Sequence, residues 1–291
     1  MNWKDGLADL LERSPAGLRA MVPAEQRADL RYRLGRFRPW EAGFDGPPPP
    51  PAPGQSVGPP DFVGIGTQMS GTDWWYRLIA DHPAVTSRRD LPVARHYLTH
   101  FAARSFGPPQ VEEYHAWFPR RAGTITGEWT PSYAARPWVP ALLARACPEA
   151  RLVLMVRDPV DRLRLGLAGT ADSRDSQAGD HTAEAVERGF YAAQLRRVLE
   201  HVPADRVLTL QYERCVADPA DQIAATYRFL GLDDTHRPPG MGPPPPDGDA
   251  GPPFDPDTRR RLADLYADDV SELSELVPGL ELSRWPSYAT G

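Results

Sequence analysis

Lysine is almost absent from this sequence. Lys4 is the only one, so nearly all of the 33 basic residues are arginines. A site whose chemistry requires an ammonium group therefore has no candidate outside the N-terminus. Cysteine is scarce as well, since Cys147 and Cys215 are the only two. This count gives no sign of a disulfide framework and favours a reducing compartment.

Long apolar runs are also missing. No segment approaches the roughly 18 apolar residues of a membrane-spanning helix, and acidic residues appear early at the N-terminus. We therefore expect a cytoplasmic protein with no membrane span, no signal peptide and no membrane partner. The net charge of −6 argues against a nucleic-acid partner. Hydrophobic residues make up 41% of the 291 residues, which is enough for one large α/β domain or two small ones.

Three segments differ in composition. Residues 1–45 carry leucines at helical spacing and predict a helical extension, in which arginines alternate with aromatic residues. This extension either packs on the main domain with its arginine stems along apolar surface or binds a polyanion. Residues 46–60 are rich in proline and predict an extended, mobile linker. Residues 61–291 are predicted to form the main domain.

Apolar runs alternate with helical patterns through the main domain. The runs predict buried parallel strands at Phe62–Ile65, Arg151–Val156 and Arg206–Tyr212. The helical patterns include Thr182–Val202, Pro219–Leu230 and Thr258–Leu276. This alternation predicts an α/β fold with a central, mainly parallel β-sheet flanked by helices on both faces.

The segment Asp61–Val85 joins a strand, a loop of small residues and a helix that begins near Asp73. A loop of this kind presents backbone N–H groups to the positive end of a helix, so a phosphate is its natural ligand. Ser70 and Thr72 add hydroxyl donors. The loop has neither GxxxxGK[ST] nor GxGxxG spacing, and the alternative is a tight turn that binds nothing.

Several segments, in a fixed order, resemble bacterial sulfotransferases, which use 3′-phosphoadenosine 5′-phosphosulfate (PAPS) as sulfuryl donor. They are GTQMSGT before a helix, GEWTPSY, RDPVDR after a strand, RVLTLQYE, FLGL and LSRW, within roughly residues 61–285. The resemblance implies the sulfotransferase fold, which is P-loop NTPase-like. It also implies a hydroxyl group of a small molecule as acceptor.

By the same resemblance, the loop wraps the 5′-phosphosulfate, and Arg157, at the end of a strand, grips the 3′-phosphate. The candidate donor-binding residues are Thr67, Gln68, Met69, Ser70, Gly71, Thr72, Asp73, Trp74, Arg157, Arg162 and Arg164. Arg162 either assists at the 3′-phosphate or pairs with Asp158 or Asp161, and Arg164 is expected to point into the same site. The alternative for Arg157 is a surface ion pair with Asp158 or Asp161.

Two donor-site positions depart from the family pattern. Met69 stands where the family has a loop cation that stabilises the bridging oxygen, and Leu165 stands where a serine binds the 3′-phosphate. Asp73 adds a carboxylate beside the expected anion, although an acid in the first turn also suits the helix dipole. These positions put the use of PAPS in question.

The predicted catalytic base also departs from the pattern. Ala94 occupies the expected glutamate position, so His96 and His100 are the remaining candidates. Their spacing also suits a metal pair, but no third ligand is apparent, and a packing role for either is the alternative.

Three hypotheses follow from these residues. The protein is an active sulfotransferase, with a role in specialised metabolism. Alternatively, it keeps the fold but has lost transfer, and binds another ligand or catalyses a donor-independent reaction such as cyclisation or elimination. The third hypothesis is a non-enzymatic protein whose proline-rich segments dock to partners.

Overall fold

The computed structural model describes residues 50–86, 108–168, 178–242 and 252–289. The strands are β1 (Gln55–Val57), β2 (Phe62–Gly66), β3 (Pro119–Arg121), β4 (Gly127–Trp129), β5 (Arg151–Val156) and β6 (Val207–Gln211). The helices up to the middle of the chain are α1 (Thr72–Ala80), α2 (Pro108–Ala116), α3 (Val139–Ala146) and α4 (Pro159–Ala168). Those that follow are α5 (Ala178–Glu187), α6 (Tyr191–Leu199), α7 (Tyr212–Ala217), α8 (Pro219–Leu230) and α9 (Pro256–Leu276).

The main sheet has the strand order β4-β2-β5-β6, and each pair of neighbours is parallel. Strand β5 lies inside it and is buried from Leu152 to Val156. Leu152 and Leu154 contribute to one hydrophobic cluster, and Val153 and Met155 to another. Two buried faces explain why this strand reads as a continuous apolar run rather than an alternating one.

Helices cover both faces of this sheet, as predicted. Residues of α3, α6 and α9 belong to one cluster, and residues of α1 and α8 belong to the other. Because the strands are parallel, their carboxyl ends meet at one edge, where an open α/β sheet binds its ligands. The segments after β2, β4, β5 and β6 converge there.

The segment predicted as a linker contains a strand. Strand β1 pairs in antiparallel register with β3, which joins Gln55 to Arg121 and Val57 to Pro119. Arg120 forms an ion pair with Asp61 and donates to the carbonyl of Pro59 at 2.8 Å. The part of the linker described by the structure is therefore extended but attached to the main domain.

The prediction of one helix over Thr182–Val202 is wrong. The chain forms α5 and α6 there, with a break between Glu187 and Tyr191. A Cβ on Gly189 would lie 2.6 Å from the ring of Tyr266, which α9 packs against this break. The close approach of that ring needs a residue without a side chain, and helical periodicity does not reveal such a requirement.

Residues 1–45, and with them the predicted helical extension, lie outside the described part of the chain. Among the residues that the structure does describe, no helix is both long and apolar enough to cross a membrane. The same residues contain no cluster of three or more His, Cys, Asp or Glu side chains that could hold a metal ion.

Candidate functional site

The predicted anion-binding loop lies between β2 and α1, at the carboxyl edge of the sheet. Gly71 precedes α1 with φ of 80° and supplies no side-chain cap to the helix. Such a helix start leaves backbone N–H groups without side-chain acceptors, which suits a phosphate or sulfate. Asp73 is exposed in the first turn. Gln68 is half-buried, and Trp74 is buried and donates to the carbonyl of Gly240 at 3.4 Å.

The hydroxyl of Ser70 faces into the loop rather than outward. Thr67 donates its hydroxyl proton to the carbonyl of Met155 at 2.8 Å. Ser70 Oγ lies 2.6 Å from Thr67 Oγ1, so Ser70 must be the donor in that pair. Both side chains are buried. The expectation that Ser70 offers its hydroxyl to a ligand is therefore not met in this conformation, although its backbone N–H belongs to the loop.

Met69 occupies the exposed tip of the loop. It has φ of 65°, in the left-handed region that non-glycine residues rarely adopt, and it is 36% exposed. Its carbonyl oxygen lies 3.5 Å from Nη1 of Arg157. The contact is long for a hydrogen bond, but it places the guanidinium directly beside the loop.

Arg157 is held beside the loop by an aromatic ring. The centre of its guanidinium lies 4.4 Å from the ring centroid of Tyr212, within the range of a cation–π contact. The same ring packs against the loop, because a Cβ on Gly71 would come 2.7 Å from a ring carbon. Tyr212 thus connects the arginine after β5 to the residue before α1. We did not single it out from sequence, where it appears only as the end of the β6 pattern.

Neither predicted acidic partner pairs with Arg157. Asp158 is buried, and its carboxylate accepts from the N–H groups of Val160 at 2.9 Å and Ser287 at 2.8 Å. Asp161 instead forms an ion pair with Arg259 at 2.5 Å. The surface-pair alternative for Arg157 is therefore wrong.

Glu213 adds a largely buried carboxyl group behind this arginine. It accepts from the backbone N–H of Asp158 at 2.9 Å and from Trp285 Nε1 at 2.8 Å. Burial raises the pKa of Glu213 to about 7, and the two hydrogen bonds and the charge of Arg157 oppose that rise. The carboxyl group links the end of β5 to the C-terminal segment.

A comparison with protein families identifies this arrangement. The profile described as "Sulfotransferase family" matches residues 130–236, which include β5, Arg157 and Glu213. The chain is 30% identical to human heparan sulfate glucosamine 3-O-sulfotransferase 3B1 over 188 residues, covering 60% of this chain and 46% of that protein. It is 27% identical over 234 residues to the mouse heparan sulfate glucosamine 3-O-sulfotransferase 6, covering 76% and 64%.

A comparison with solved structures also finds sulfotransferases. The crystal structure of a sulfotransferase from Alicyclobacillus acidocaldarius superposes with a TM-score of 0.61 and 21% identity, covering 79% of this chain and 99% of that one. The chain is thus similar to sulfotransferases in both sequence and fold. It spans less than half the length of the human relative named above. The predicted fold class and family resemblance are confirmed.

Arg162 is enclosed by the packing of two helices. It is 1% exposed on α4 and donates to the carbonyl of Ala185 on α5. The alternative in which Arg162 pairs with Asp158 or Asp161 is not met, because these carboxylates have Val160, Ser287 and Arg259 as partners. Arg164 is half-buried on the same helix, and Leu165 is buried in the core.

The GEWTPSY segment forms the other wall of the site. Trp129 Nε1 donates to the carbonyl of Gly66 at 3.1 Å. A Cβ on Gly66 would lie 3.5 Å from the Cβ of Ala134, so the turn packs directly on the end of β2. Beyond it lies a cleft of about 240 Å³, lined by Ser132, Ala135, Arg136, Pro137, Trp138, Glu184, Glu187 and Arg188. The lining combines the indole of Trp138 with the charged side chains of Arg136, Arg188, Glu184 and Glu187.

Glu128 is a second buried carboxyl group that sequence reasoning did not single out. It is 8% exposed and accepts hydrogen bonds from the hydroxyls of Tyr114 at 2.8 Å and Thr130 at 2.6 Å. Tyr133 adds a longer contact at 3.3 Å. Burial raises the pKa of both tyrosines, and the Glu128 charge adds to this rise, so they remain hydroxyl donors. These bonds fix the turn that separates the loop from the cleft.

The candidate bases His96 and His100 lie outside the described residues.

Proposed function

We propose that this protein transfers a sulfuryl group from PAPS to a hydroxyl group of a small molecule. The observation that carries the proposal is the placement of Arg157 beside the loop, on the ring of Tyr212, at the carboxyl edge of the sheet. A helix N-terminus with uncapped N–H groups and an adjacent guanidinium together match a ligand with two anionic groups. The similarity to sulfotransferases supports a sulfate donor of this kind.

The residues present fit the donor at the loop N–H groups and at Arg157, but not at Met69 or Leu165. The N–H groups of the loop and of the first turn of α1 would hold the phosphosulfate, and Arg157 would hold the 3′-phosphate. PAPS supplies the sulfuryl group and leaves as a phosphate ester. Negative charge develops on that ester, and groups already oriented toward it stabilise the transition state. Met69 contributes no positive charge there, so the loop N–H groups would provide the stabilisation while Arg157 holds the 3′-phosphate.

The acceptor is proposed to enter by the cleft beyond the GEWTPSY turn. The indole of Trp138 and the guanidinium of Arg136 line it and suit a ring with polar substituents. His96 or His100 would remove the proton of the acceptor hydroxyl, since a neutral imidazole accepts a proton near pH 7. The curated relatives are named for glucosamine in heparan sulfate, so amino sugars belong among the acceptors to test alongside small biosynthetic alcohols.

Calorimetry with 3′-phosphoadenosine 5′-phosphate (PAP) tests the donor site. We expect wild-type protein to bind PAP, and Arg157→Ala to weaken binding roughly 10- to 100-fold, the loss expected for hydrogen bonds to a charged group. Arg260→Ala is the matched control, because Arg260 is exposed and pairs only with Asp257 within one turn of α9. Absence of binding to wild type at millimolar PAP would defeat the proposal.

The sequence of the loop favours a second candidate function, namely ligand binding without sulfuryl transfer. Met69 is at the exposed tip, where a longer basic side chain has room to reach a bound anion. If Met69→Lys creates transfer that the parent lacks while both bind PAP, the second candidate is correct. If wild type already labels an acceptor from radioactive PAPS, the first is correct.

A further inference from the structure

Two buried polar groups behind the donor loop make no hydrogen bond with any described residue. They are the hydroxyl of Tyr191 and Nε of Arg162. The Tyr191 side chain is 0% exposed and that of Arg162 is 1% exposed. A buried polar group without a partner destabilises the folded state, and native structures contain few of them. The occurrence of both next to the loop therefore requires an explanation.

Tyr191 faces the loop. It is the first residue of α6, directly after the break at Gly189. Burial raises the pKa of its phenol, and the charge of Arg162 and the hydroxyl of Thr67 oppose this rise. Glu213 and Tyr266 act on the same phenol, so its polar surroundings are Thr67, Arg162, Glu213 and Tyr266. The geometry nevertheless falls short of a hydrogen bond between Tyr191 and Thr67.

Thr67 already has a partner on its accepting side. Its hydroxyl donates to Met155 and accepts from Ser70. Ser70 stands two residues before Thr72, the first residue of α1, where an anion would lie. If Ser70 turned toward that anion, Thr67 would be left with an unfilled acceptor in a buried space. The Tyr191 hydroxyl, on which Thr67 acts, is a buried donor of the kind that this acceptor would need.

We propose that Tyr191 is a positioning residue of the donor loop. When an anion binds, Ser70 Oγ turns from Thr67 to the anion, and the Tyr191 hydroxyl donates to Thr67 Oγ1 in its place. The exchange keeps Thr67 fixed to β5 through Met155 while the loop gains a hydroxyl donor. The proposal rests on the proposed function only in requiring that the loop bind an anion.

Tyr191→Phe, compared with Tyr266→Phe, tests this exchange. The Tyr191 hydroxyl bonds to no residue that the structure describes, so its removal should leave the melting temperature unchanged or raise it. The same change should weaken PAP binding roughly 3- to 10-fold, the effect of one hydrogen bond. Tyr266 is the matched control, since its buried hydroxyl does bond in the free protein, to the carbonyl of Val186 at 3.0 Å. Tyr266→Phe should lower the melting temperature and change the affinity for PAP by less than about twofold.

The outcomes separate this inference from the proposed donor. If wild type binds PAP and Tyr191→Phe binds it equally well, the inference is overturned while the proposed function stands. If wild type does not bind PAP, inorganic pyrophosphate becomes the probe. Weaker pyrophosphate binding by Tyr191→Phe would then support the inference without the donor, and equal or absent binding would overturn it. A crystal structure with either probe in which Ser70 Oγ still bonds Thr67 would also overturn it.

Discussion

Replacing Gly71 with alanine should disturb the loop in two separable ways. The residue has φ of 80°, which is strained for alanine by about 1–2 kcal/mol. The new methyl group would also lie 2.7 Å from the ring of Tyr212, so the ring has to move. Overpacking of this kind adds about 1–3 kcal/mol. We expect the total loss in the free energy of unfolding to be about 2–5 kcal/mol.

Gly123→Ala isolates the backbone part of this effect. Gly123 has φ of 77°, and a Cβ there would meet no atom within 4 Å. Its replacement should therefore lower the free energy of unfolding by only about 1–2 kcal/mol, measured by urea titration. The same two variants are then titrated with PAP. Only Gly71→Ala should lose affinity, because displacement of Tyr212 moves the support of Arg157.

A double-mutant cycle with Tyr212→Ala identifies the ring as the cause. Without the ring, Gly71→Ala should lose no more stability than Gly123→Ala, which gives a coupling energy of about 1–3 kcal/mol. If Gly71→Ala and Gly123→Ala are equally destabilising and the cycle shows no coupling, then Tyr212 does not pack on Gly71 as described. The explanation of how Arg157 is positioned would then fail.

Three further predictions concern groups around this site. Glu213→Gln should remove a pH dependence of the free energy of unfolding, measured by urea titration. Because the pKa of Glu213 is raised to about 7, its contribution to the stability of the wild type is fully present below pH 4.5 and is lost as pH rises through about 7. Burial lowers the pKa of His82, which accepts from the N–H of Ala84 at 3.1 Å. The wild type should therefore lose stability relative to His82→Asn as pH falls below about 6.5. Equal slopes of the free energy of unfolding against pH for the two proteins would contradict this. Gly189→Ala should lower the melting temperature more than Gly123→Ala, because its methyl group would clash with Tyr266; a smaller shift would count against the packing described at this break.

Helices on both faces of a parallel sheet were predictable because each signal for them is local. The apolar run Arg151–Val156 marks a strand with two buried faces, and the structure has the strand with these bounds. The position of Arg157 follows from that strand and from the rule that ligands bind at the carboxyl edge of a parallel sheet. The helix Pro219–Leu230 was equally predictable, since Pro219 stands in its first turn and Gly231 follows its end with φ of 76°.

The orientation of individual side chains at the site depended on contacts that are remote in sequence. The carboxylate of Asp158 is held by Ser287, 129 positions away, so it is unavailable to Arg157. Arg162 has the spacing of a site residue, but the packing of α5 across α4 buries it. The break at Gly189 exists because Tyr266, in the last long helix, packs there.

The sequence by itself determined the fold class, the location of the anion-binding loop and the arginine at the strand end. These follow from periodicity and from the order of motifs, which are properties of neighbouring residues. Only the tertiary structure decided that Ser70 faces inward, that Tyr212 supports Arg157, and that Tyr191 lies unpaired behind Thr67. Each of these depends on which segments pack together, because hydrogen-bond partners and steric room are set by three-dimensional proximity and not by spacing along the chain.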